Sequence, residues 1–422
     1  MRTFLLVILV FSSLSTFSQL YLNTYYGNLH SHTSFSDGMG TPADAYLFAR
    51  DSAHLDFLAV TDHIEYLDST EFSTGLQTSA NFTSNGVFVA FYGYEWTSPY
   101  YGHCDIFNTE EMIPASSSSL YPGGWDIFTA FMRNNPPAFG QFNHPGRYVT
   151  FNNWDDFAYV SSATDSIMPL IEFQNIQEAT NYYEHALSKG WHLSPVWNQD
   201  NHQADWGLKN NGRAGIWAIS LSKQDLINSI KHRRTFATMD FNASVWIESG
   251  SNPMGSTSPL IPSIPIRIIL NDADNELWTL IELVSDKGVL DNFSNVQGNI
   301  DSTLTFSDSL KWVFVRATQQ DSDMIWSAPV FFQSATNISA QNNKTNCDIS
   351  IIQEGNNILV KSDNPARVRL TDMSGKTMLL VKYKHCGEIF IINLEEYPDG
   401  FYNVTVSDTN FKTSKTVIKT GK

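Results

Sequence analysis

Short apolar runs alternate with helix-like segments over the first half of the chain. Runs of strand length lie at residues 56–61, 86–94, 138–143, 170–174 and 193–199. Before the first run, Thr41 and Pro42 form an N-cap followed by proline, which predicts a helix through Ala45, Phe48 and Ala49. Strands that alternate with helices are typical of a parallel α/β fold, so we predict one over residues 19–242.

From residue 243 the helical pattern stops. Residues 244–248, 264–270, 277–284 and 311–316 form short alternating runs, which predict a β-sandwich over residues 243–334. Trp278, Trp312 and Trp326 belong to this region, and we expect them to pack in its core; the alternative is a platform that stacks on sugars. The polar residues 335–346 predict a linker, and residues 347–422 form a last strand-rich module.

The first eighteen residues have the pattern of a secretory signal peptide. Arg2 gives the positive start, residues 4–11 are apolar, and Thr16 and Ser18 form a small-residue cleavage pattern before Gln19. The apolar run is shorter than the roughly 20 residues that span a bilayer, and no later segment is long and apolar enough. We therefore expect export, with cleavage after residue 18 and no transmembrane helix.

Composition narrows the classes of partner. The chain of 422 residues has 26 basic and 43 acidic residues and a net charge of −17, which argues against nucleic acid or anionic lipid as a partner. Three cysteines exclude a disulfide scaffold. Cys347 and Cys386 either form one bridge or remain thiols, and Cys104 is expected to be a buried strand residue.

Metal-competent side chains recur where the predicted strands end. His30 and His32 stand one residue apart, and side chains at i and i+2 of a strand point to the same side, so both can reach one ion. In a β/α barrel the carboxyl ends of the strands form a single rim. We therefore expect one multimetal pocket. Six of the eleven histidines belong to this pattern: His30, His32, His63, His103, His144 and His202.

These motifs resemble the successive signatures of the PHP (polymerase and histidinol phosphatase) superfamily of metal-dependent hydrolases. The resemblance is most marked to the branch with secreted and carbamate-hydrolysing members. It implies a distorted seven-stranded β/α barrel, followed here by two small all-β sandwich modules, with two or three divalent ions of zinc, manganese or iron. The residues that carry it are His30-Ser-His32 with Asp37, Thr61-Asp-His63, Glu95, Gly102-His103, Asn143-His-Pro-Gly146 and Asp200-Asn-His202.

The resemblance implies nine ligands for three ions. Asp37 stands where many relatives have histidine, and a carboxylate there favours a harder ion such as manganese or iron over zinc. The implied ligands are His30, His32, Glu95 and Asp200 for the first ion, Glu95 as a bridge with His103 and His144 for the second, and Asp37, His63 and His202 for the third.

The implied chemistry is hydrolysis by a metal-bridging hydroxide that attacks a phosphoryl or carbonyl centre. We expect Asp200 to accept its proton, and His63 or His202 to protonate the leaving group if either is not fully bound to metal. Arg147 is expected to bind phosphate oxygens; the alternative is a surface salt bridge. An aromatic-walled cleft for a small-molecule or glycan-linked ester is expected from Tyr100, Tyr101, Trp125, Trp154 and Trp206.

The expected function is therefore that of an exported phosphoesterase, acting on monoesters or diesters. One alternative is a carbamate or carboxyl ester hydrolase with the same site. Another is a non-catalytic surface protein that binds glycans through its β-sandwich. The three hypotheses differ in metal content and in the ester that the purified protein cleaves.

The last module resembles the sorting domains of type IX secretion substrates in Bacteroidetes. The resemblance rests on the Asp-x-x-Gly-Lys turn from Asp372 to Lys376, the Tyr-Pro-Asp-Gly-Phe-Tyr motif from Tyr397 to Tyr402, and a basic strand at residues 415–419. It implies export through the outer membrane by the type IX machinery. Release or attachment at the cell surface would follow, with removal of the module.

Overall fold

The computed structural model describes residues 22–305, 309–334, 349–354, 357–362, 366–372, 376–383, 389–398, 400–407 and 412–419. The chain divides into two compact units, Met1–Ala335 and Thr336–Lys422. The predicted signal peptide, the predicted linker and both cysteines of the predicted bridge, Cys347 and Cys386, lie outside the described residues. No helix within the described ranges is both long and apolar enough to cross a membrane.

The first unit begins with an α/β region. Its strands are β1 (Asn23–Asn28), β2 (Phe57–Val60), β3 (Val89–Ser98), β4 (Gly102–Phe107), β5 (Phe139–Asn143), β6 (Leu170–Phe173), β7 (Ser194–Trp197), β8 (Arg213–Ala218) and β9 (Thr235–Thr238). Its helical segments are α1 (Pro42–Asp51), α2 (Ser69–Phe82), α3 (Gly124–Asn134), α4 (Asn153–Phe157), α5 (Ser162–Ile167), α6 (Glu184–Ser188) and α7 (Lys223–Lys231). The segment α4 is a left-handed turn, with positive φ at all five residues.

Helix α1 begins where the sequence predicts. The Thr41 hydroxyl accepts a hydrogen bond from the Asp44 N–H at 3.2 Å, and the Asp44 carboxylate accepts one from the Thr41 N–H at 2.8 Å. This capping box and Pro42 at the first position fix the start of the helix. Tyr46 faces the core and donates its hydroxyl to the Phe91 carbonyl at 2.6 Å, which ties the helix to β3.

The sheet of this region is mixed. Strand order is β9-β8-β1-β2-β3-β4-β5-β6-β7, with β1, β2 and β3 parallel and β5, β6 and β7 parallel. Strand β4 runs antiparallel to β3 and β5, and β8 runs antiparallel to β1 and β9. A mixed α/β fold is confirmed, but the expectation of a purely parallel sheet is wrong. Residues 99–101, which join β3 to β4, are too few for a crossover, because parallel neighbours need about a dozen linking residues.

Alternate residues of the strands face two different cores. Leu58 and Val60 of β2 pack in the core that contains the helices. Phe57 and Ala59 pack with residues from the other strands, such as Phe139, in a second core that α7 also covers. The strands therefore enclose an apolar interior, and the side chains towards their carboxyl ends are polar.

The first and last of the central strands meet at that end. Ser31 forms a single parallel bridge with Asn201, and the His32 N–H donates to the Asn201 carbonyl at 2.8 Å. Asn198 accepts a hydrogen bond from the Leu29 N–H at 2.7 Å. Within the described part of the chain no ladder joins β7 to β1, so the closed seven-stranded barrel stays a prediction.

The rest of the first unit consists of strands. They are β10 (Ser244–Ser249), β11 (Asn252–Pro253), β12 (Thr257–Leu260), β13 (Ser263–Asn271), β14 (Trp278–Ser285), β15 (Gly288–Phe293), β16 (Ile300–Thr305), β17 (Trp312–Gln319), β18 (Met324–Ser327) and β19 (Val330–Ser334). The sheet β11-β10-β13-β16 shares an apolar core with β17 and its neighbours β14, β18 and β19. Strand β18 also pairs with β9. Trp278, Trp312 and Trp326 are buried, which confirms that they pack in the interior and excludes them as an exposed sugar platform.

The second unit is also built from strands. Its strands are β20 (Ile349–Glu354), β21 (Asn357–Ser362), β22 (Ala366–Asp372), β23 (Thr377–Tyr383), β24 (Ile389–Asn393), β25 (Gly400–Ser407) and β26 (Lys412–Lys419). They form the sheets β20-β21-β24 and β23-β22-β25-β26. The Asp372 carboxylate accepts from the Lys376 N–H at 2.9 Å, which explains why the predicted turn carries aspartate at that position.

Candidate metal centre

The nine predicted ligands lie together at one end of the α/β sheet. His30, His63, His144 and Asp200 follow β1, β2, β5 and β7. Glu95 and His103 reach the same end because β4 runs antiparallel to β3, so that Thr97 of β3 pairs with His103 near the start of β4. Four groups of histidine and carboxylate side chains with ligand atoms close enough to hold an ion lie at this end.

The tightest group contains four atoms, His30 Nε2, His32 Nε2, Glu95 Oε2 and Asp200 Oδ1. His30 Nε2 lies 3.1 Å from His32 Nε2, 3.5 Å from the Glu95 oxygen and 3.3 Å from the Asp200 oxygen. His32 Nε2 lies 3.5 Å from the same Glu95 oxygen and 3.0 Å from the same Asp200 oxygen. Ligands of a tetrahedral ion with bonds of about 2.0–2.1 Å sit about 3.3–3.4 Å apart. His30 Nε2, His32 Nε2 and Glu95 Oε2 therefore have about the spacing of ligands around one ion, and Asp200 Oδ1 has that spacing to the two histidine nitrogens.

The second oxygen of Glu95 belongs to a neighbouring group. Glu95 Oε1 lies 3.1 Å from His103 Nδ1 and 3.3 Å from His144 Nε2, and it accepts a hydrogen bond from the Asn143 amide at 2.9 Å. The two oxygens of one buried carboxylate thus face two different sets of imidazoles. This is the arrangement of a carboxylate that bridges two ions.

The third group lies nearer the solvent. Asp37 Oδ1 is 3.3 Å from His202 Nε2, 3.7 Å from His63 Nε2 and 3.9 Å from His32 Nδ1. The Asp37 side chain is 48% exposed, whereas His32 is fully buried. This group therefore forms the open side of the centre, where a substrate can approach.

Glu172 is a site residue that the sequence reasoning missed. The carboxylate is fully buried in β6; it lies 2.9 Å from His30 Nδ1 and accepts the His144 backbone N–H at 2.8 Å. A carboxylate behind a ligating imidazole fixes the orientation of the ring and its tautomer. The available signal was a charged residue inside the apolar run 170–174.

Arg147 is engaged with a predicted ligand. Its guanidinium donates to Asp200 Oδ2 and to the Gln174 side-chain oxygen. The side chain is 31% exposed and lies beside a recess of about 350 Å³ that Gln174, Glu178 and Tyr182 also line. Arg147 therefore forms an ion pair inside the centre and has part of its side chain open to solvent.

The predicted aromatic wall is wrong for four of its five residues. Tyr101, Trp125, Trp154 and Trp206 are buried in the apolar core, and only Tyr100 is exposed. Trp206 donates its indole N–H to the His32 carbonyl at 3.0 Å, so it supports the loop that carries a ligand. These large side chains pack in the core because each of them fills volume behind the strand ends.

Burial and close charges shift the pKa values of the centre. Burial raises the pKa of Glu95, but His30, His103 and His63 outweigh it and hold that pKa well below its usual value. For Asp200, burial is likewise outweighed, chiefly by His30 and His32, and its pKa is well below the ordinary one. Burial lowers the pKa of His32 and of His103. Burial also acts to lower the pKa of His30 and His63, but nearby carboxylates, chiefly Asp105 for His30 and Glu95 for His63, outweigh it and raise the pKa of His30 well above its usual value and that of His63 to about 9. Ionised carboxylates and neutral imidazoles are the forms that ligate metal ions.

Two of the predicted ligands have strained backbones. His144 has φ of +27° and Asp200 has φ of +46°, a region that residues other than glycine rarely adopt. His144 directly follows β5, and Asp200 lies three residues after the end of β7. Strain of this kind clusters at functional sites.

The residues of the centre fit divalent cations. Glu95, Glu172 and Asp200 are buried and have depressed pKa values. Among the described lysines and arginines, only Arg147 lies within ion-pair distance of them. Buried charges are paired or coordinate metals. The fold and the site therefore define an α/β protein with a candidate metal centre of clustered histidines and carboxylates.

Residues 354–420 match the family model of the secretion system C-terminal sorting domain. This match confirms the predicted sorting domain and implies export, with a location at the cell surface or outside the cell. A search of curated proteins finds no match to the chain.

Solved structures similar to the chain include a two-domain protein from Bacteroides vulgatus that contains a predicted PHP-like metal-dependent phosphoesterase. The identity is 18% and the TM-score 0.41, over 74% of this chain and 96% of that one. The lesion-specific endonuclease EndoQ from Pyrococcus furiosus is similar at 10% identity and a TM-score of 0.31, over 50% of this chain and 56% of that one.

Proposed function

We propose that the chain is an exported metal-dependent hydrolase that cleaves phosphate monoesters or diesters. The observation that supports this most is Glu95, whose two oxygens face two separate groups of imidazoles. Divalent ions of zinc, manganese or iron held there would activate a water molecule and polarise the phosphoryl oxygen. The proposed ligands are His30, His32, Glu95 and Asp200 for one ion, Glu95, His103 and His144 for a second, and Asp37, His63 and His202 for a third.

The contacts of each side chain suggest its part in the reaction. Asp200 has one oxygen facing His30 and His32 and the other held by Arg147. Its low pKa makes it a weak base, which favours its role as a ligand over its predicted role as proton acceptor. His63 and His202 lie on the more open side, and we infer that one of them, when it is not bound to the third ion, protonates the leaving group.

The segments at the two ends of the chain support a proposed route of export. We infer that residues 1–18 are removed as a signal peptide and that the type IX machinery carries the chain across the outer membrane. The sorting domain at residues 354–420 supports this route. Its removal at the cell surface would leave the metal centre outside the cell.

Chromogenic esters test the reaction class. The purified chain, supplied in turn with zinc, manganese and iron, should cleave 4-nitrophenyl phosphate or its bis-ester with a kcat/KM at least about tenfold above that for 4-nitrophenyl acetate. A chelator should abolish this activity, and added metal should restore it. A clear preference for the carboxyl ester would instead support the carboxyl ester or carbamate alternative.

Arg147→Ala should lower kcat/KM for phosphate esters about 10–100-fold, because charge-assisted hydrogen bonds contribute about 1.5–3 kcal/mol each. Carboxyl ester cleavage should change much less, since that substrate offers no phosphate oxygens. Arg50→Ala is the control, because among the residues that the structure describes Arg50 pairs only with the neighbouring Asp51, at a partly exposed position. Equal changes in both activities would mean that Arg147 only positions Asp200.

A further inference from the structure

A second carboxylate group lies in the first unit, outside the metal centre. Asp240 follows β9, and Asp272 and Glu276 lie at the end of β13 and in the loop after it. One oxygen from each lies within 4.8 Å of the others. Two oxygens on one calcium ion, with bonds of about 2.3–2.6 Å, are at most about 4.6–5.2 Å apart. The spacing therefore allows a single cation to touch all three.

Hydrogen bonds hold these loops in place. Asp240 Oδ1 accepts from the backbone N–H of Asn242 at 2.6 Å and of Ala243 at 3.2 Å. The Asn242 side chain donates to Asp274 at 2.9 Å and accepts from the Ala273 N–H at 3.2 Å, which joins the two loops. Asp240 Oδ1 thus accepts hydrogen bonds from its own loop, and Asp240 Oδ2 faces the cluster.

Gln319 gives a second and independent indication of a ligand. This residue ends β17 and is 1% exposed. Its amide nitrogen lies 3.5 Å from Asp240 Oδ2 and also contacts Asp272, and a 180° rotation of the amide would put its oxygen at the same place. The Gln319 Oε1 and the Glu276 Oε2 are buried, and neither finds a hydrogen-bond donor within the described part of the chain. Buried oxygens without a donor are costly unless something else, such as a cation, satisfies them.

Most of the charges around the cluster are negative. Burial raises the pKa of Glu276, and Asp321 and Asp272 raise it further. Burial, Asp321 and Asp240 likewise raise the pKa of Asp323, in the loop after β17. Burial lowers the pKa of Arg213 to about 10, and nearby Asp240 acts in the opposite direction. The Arg213 guanidinium, however, donates to the carbonyls of Asn210 and Gly212. A bound cation would remove this repulsion.

We propose that Asp240, Asp272, Glu276 and Gln319 form a calcium site that ties the loops after β9, β13 and β17 together. A set made only of carboxylate and amide oxygens suits a hard cation, whereas zinc prefers nitrogen and sulfur ligands. Extracellular modules bind calcium with a Kd of about 10⁻⁴–10⁻³ M, a range that serves an exported protein. The site is structural and separate from the hydrolytic centre.

Thermal unfolding of the full chain tests the site. Millimolar calcium should raise the Tm by about 2–4 °C, because an ion that binds only the folded state stabilises it. Asp272→Asn should melt above the wild type without calcium, since repulsion is relieved, and should not respond to calcium. Asp301→Asn, an exposed position on β16, should respond like the wild type. An unchanged wild-type Tm, or an equal calcium shift in Asp272→Asn, would overturn the proposal.

Terbium provides a direct probe of binding. Trp278 lines a cavity of about 170 Å³ together with Asp272 and Glu276, so its indole can sensitise a bound terbium ion. Excitation of tryptophan should give terbium emission that calcium displaces in the wild type and that is lost in Glu276→Gln. Trp278→Phe should weaken the emission and keep the calcium-dependent Tm shift. Wild-type emission that calcium does not displace would contradict the proposal without any variant.

Discussion

Glu95→Gln is expected to abolish hydrolysis, with kcat/KM lower by about 10³-fold or more at saturating metal. The carboxylate Oε2 lies within 3.5 Å of His30, His32 and His63, and Oε1 lies within 3.3 Å of His103 and His144. Glutamine keeps the shape but loses the negative charge and turns an NH₂ donor towards one of these two groups. The centre would then lose its bridge, so two ions would leave together.

The measurement for this variant combines kinetics with metal content and unfolding. Glu110→Gln, at an exposed position beyond the end of β4 that is remote from His103, should keep full activity and full metal content. The melting curve of metal-free Glu95→Gln should remain cooperative, which separates loss of the centre from loss of the fold. Activity within tenfold of the wild type would show that Glu95 does not bridge ions.

Glu172→Gln should weaken metal affinity about 10–100-fold, the usual effect of losing a residue that orients a ligating histidine. Glu172 lies 2.9 Å from His30 Nδ1 and also holds the His144 backbone N–H, so the change loosens ligands of two groups. Competition with a chelator measures the affinity. Raising the metal concentration should restore activity in this variant but not in Glu95→Gln.

The rescue separates positioning from direct contact with the ions. Failure of added metal to restore Glu172→Gln would indicate that Glu172 acts on the reaction itself. An unchanged affinity would mean that His30 is oriented without it, by Asp105 at 3.7 Å or by the loop alone.

The strand ends and the histidine motifs could be predicted from the sequence because both are local patterns. The cap of α1, the strands β2, β5, β6 and β7, and the sorting domain all follow from neighbouring residues. The convergence of His30, His63 and His144 follows from one rule about strand ends. Only at β4 does the position of a predicted ligand depend on the direction of the strand, and there the predicted parallel order is wrong.

Features that depend on tertiary packing could not be predicted. Glu172 stands in an apolar run that predicts a strand whatever its charge, and only the fold places it behind His30. Arg147 meets Asp200 across 53 residues of sequence. The buried Trp154 and Trp206 show that aromatic residues after strand ends fill the core as readily as a cleft.

The content of transition metal in the purified full-length chain tests the central claim most directly. After loading with zinc, manganese or iron and dialysis, mass spectrometry should find two or three of these ions per chain, with calcium counted separately. His30→Ala combined with His32→Ala should remove at least the first of them, because both nitrogens lie within 3.5 Å of Glu95 Oε2. Fewer than two transition-metal ions per wild-type chain under metal-replete conditions would contradict the account and favour a non-catalytic surface protein.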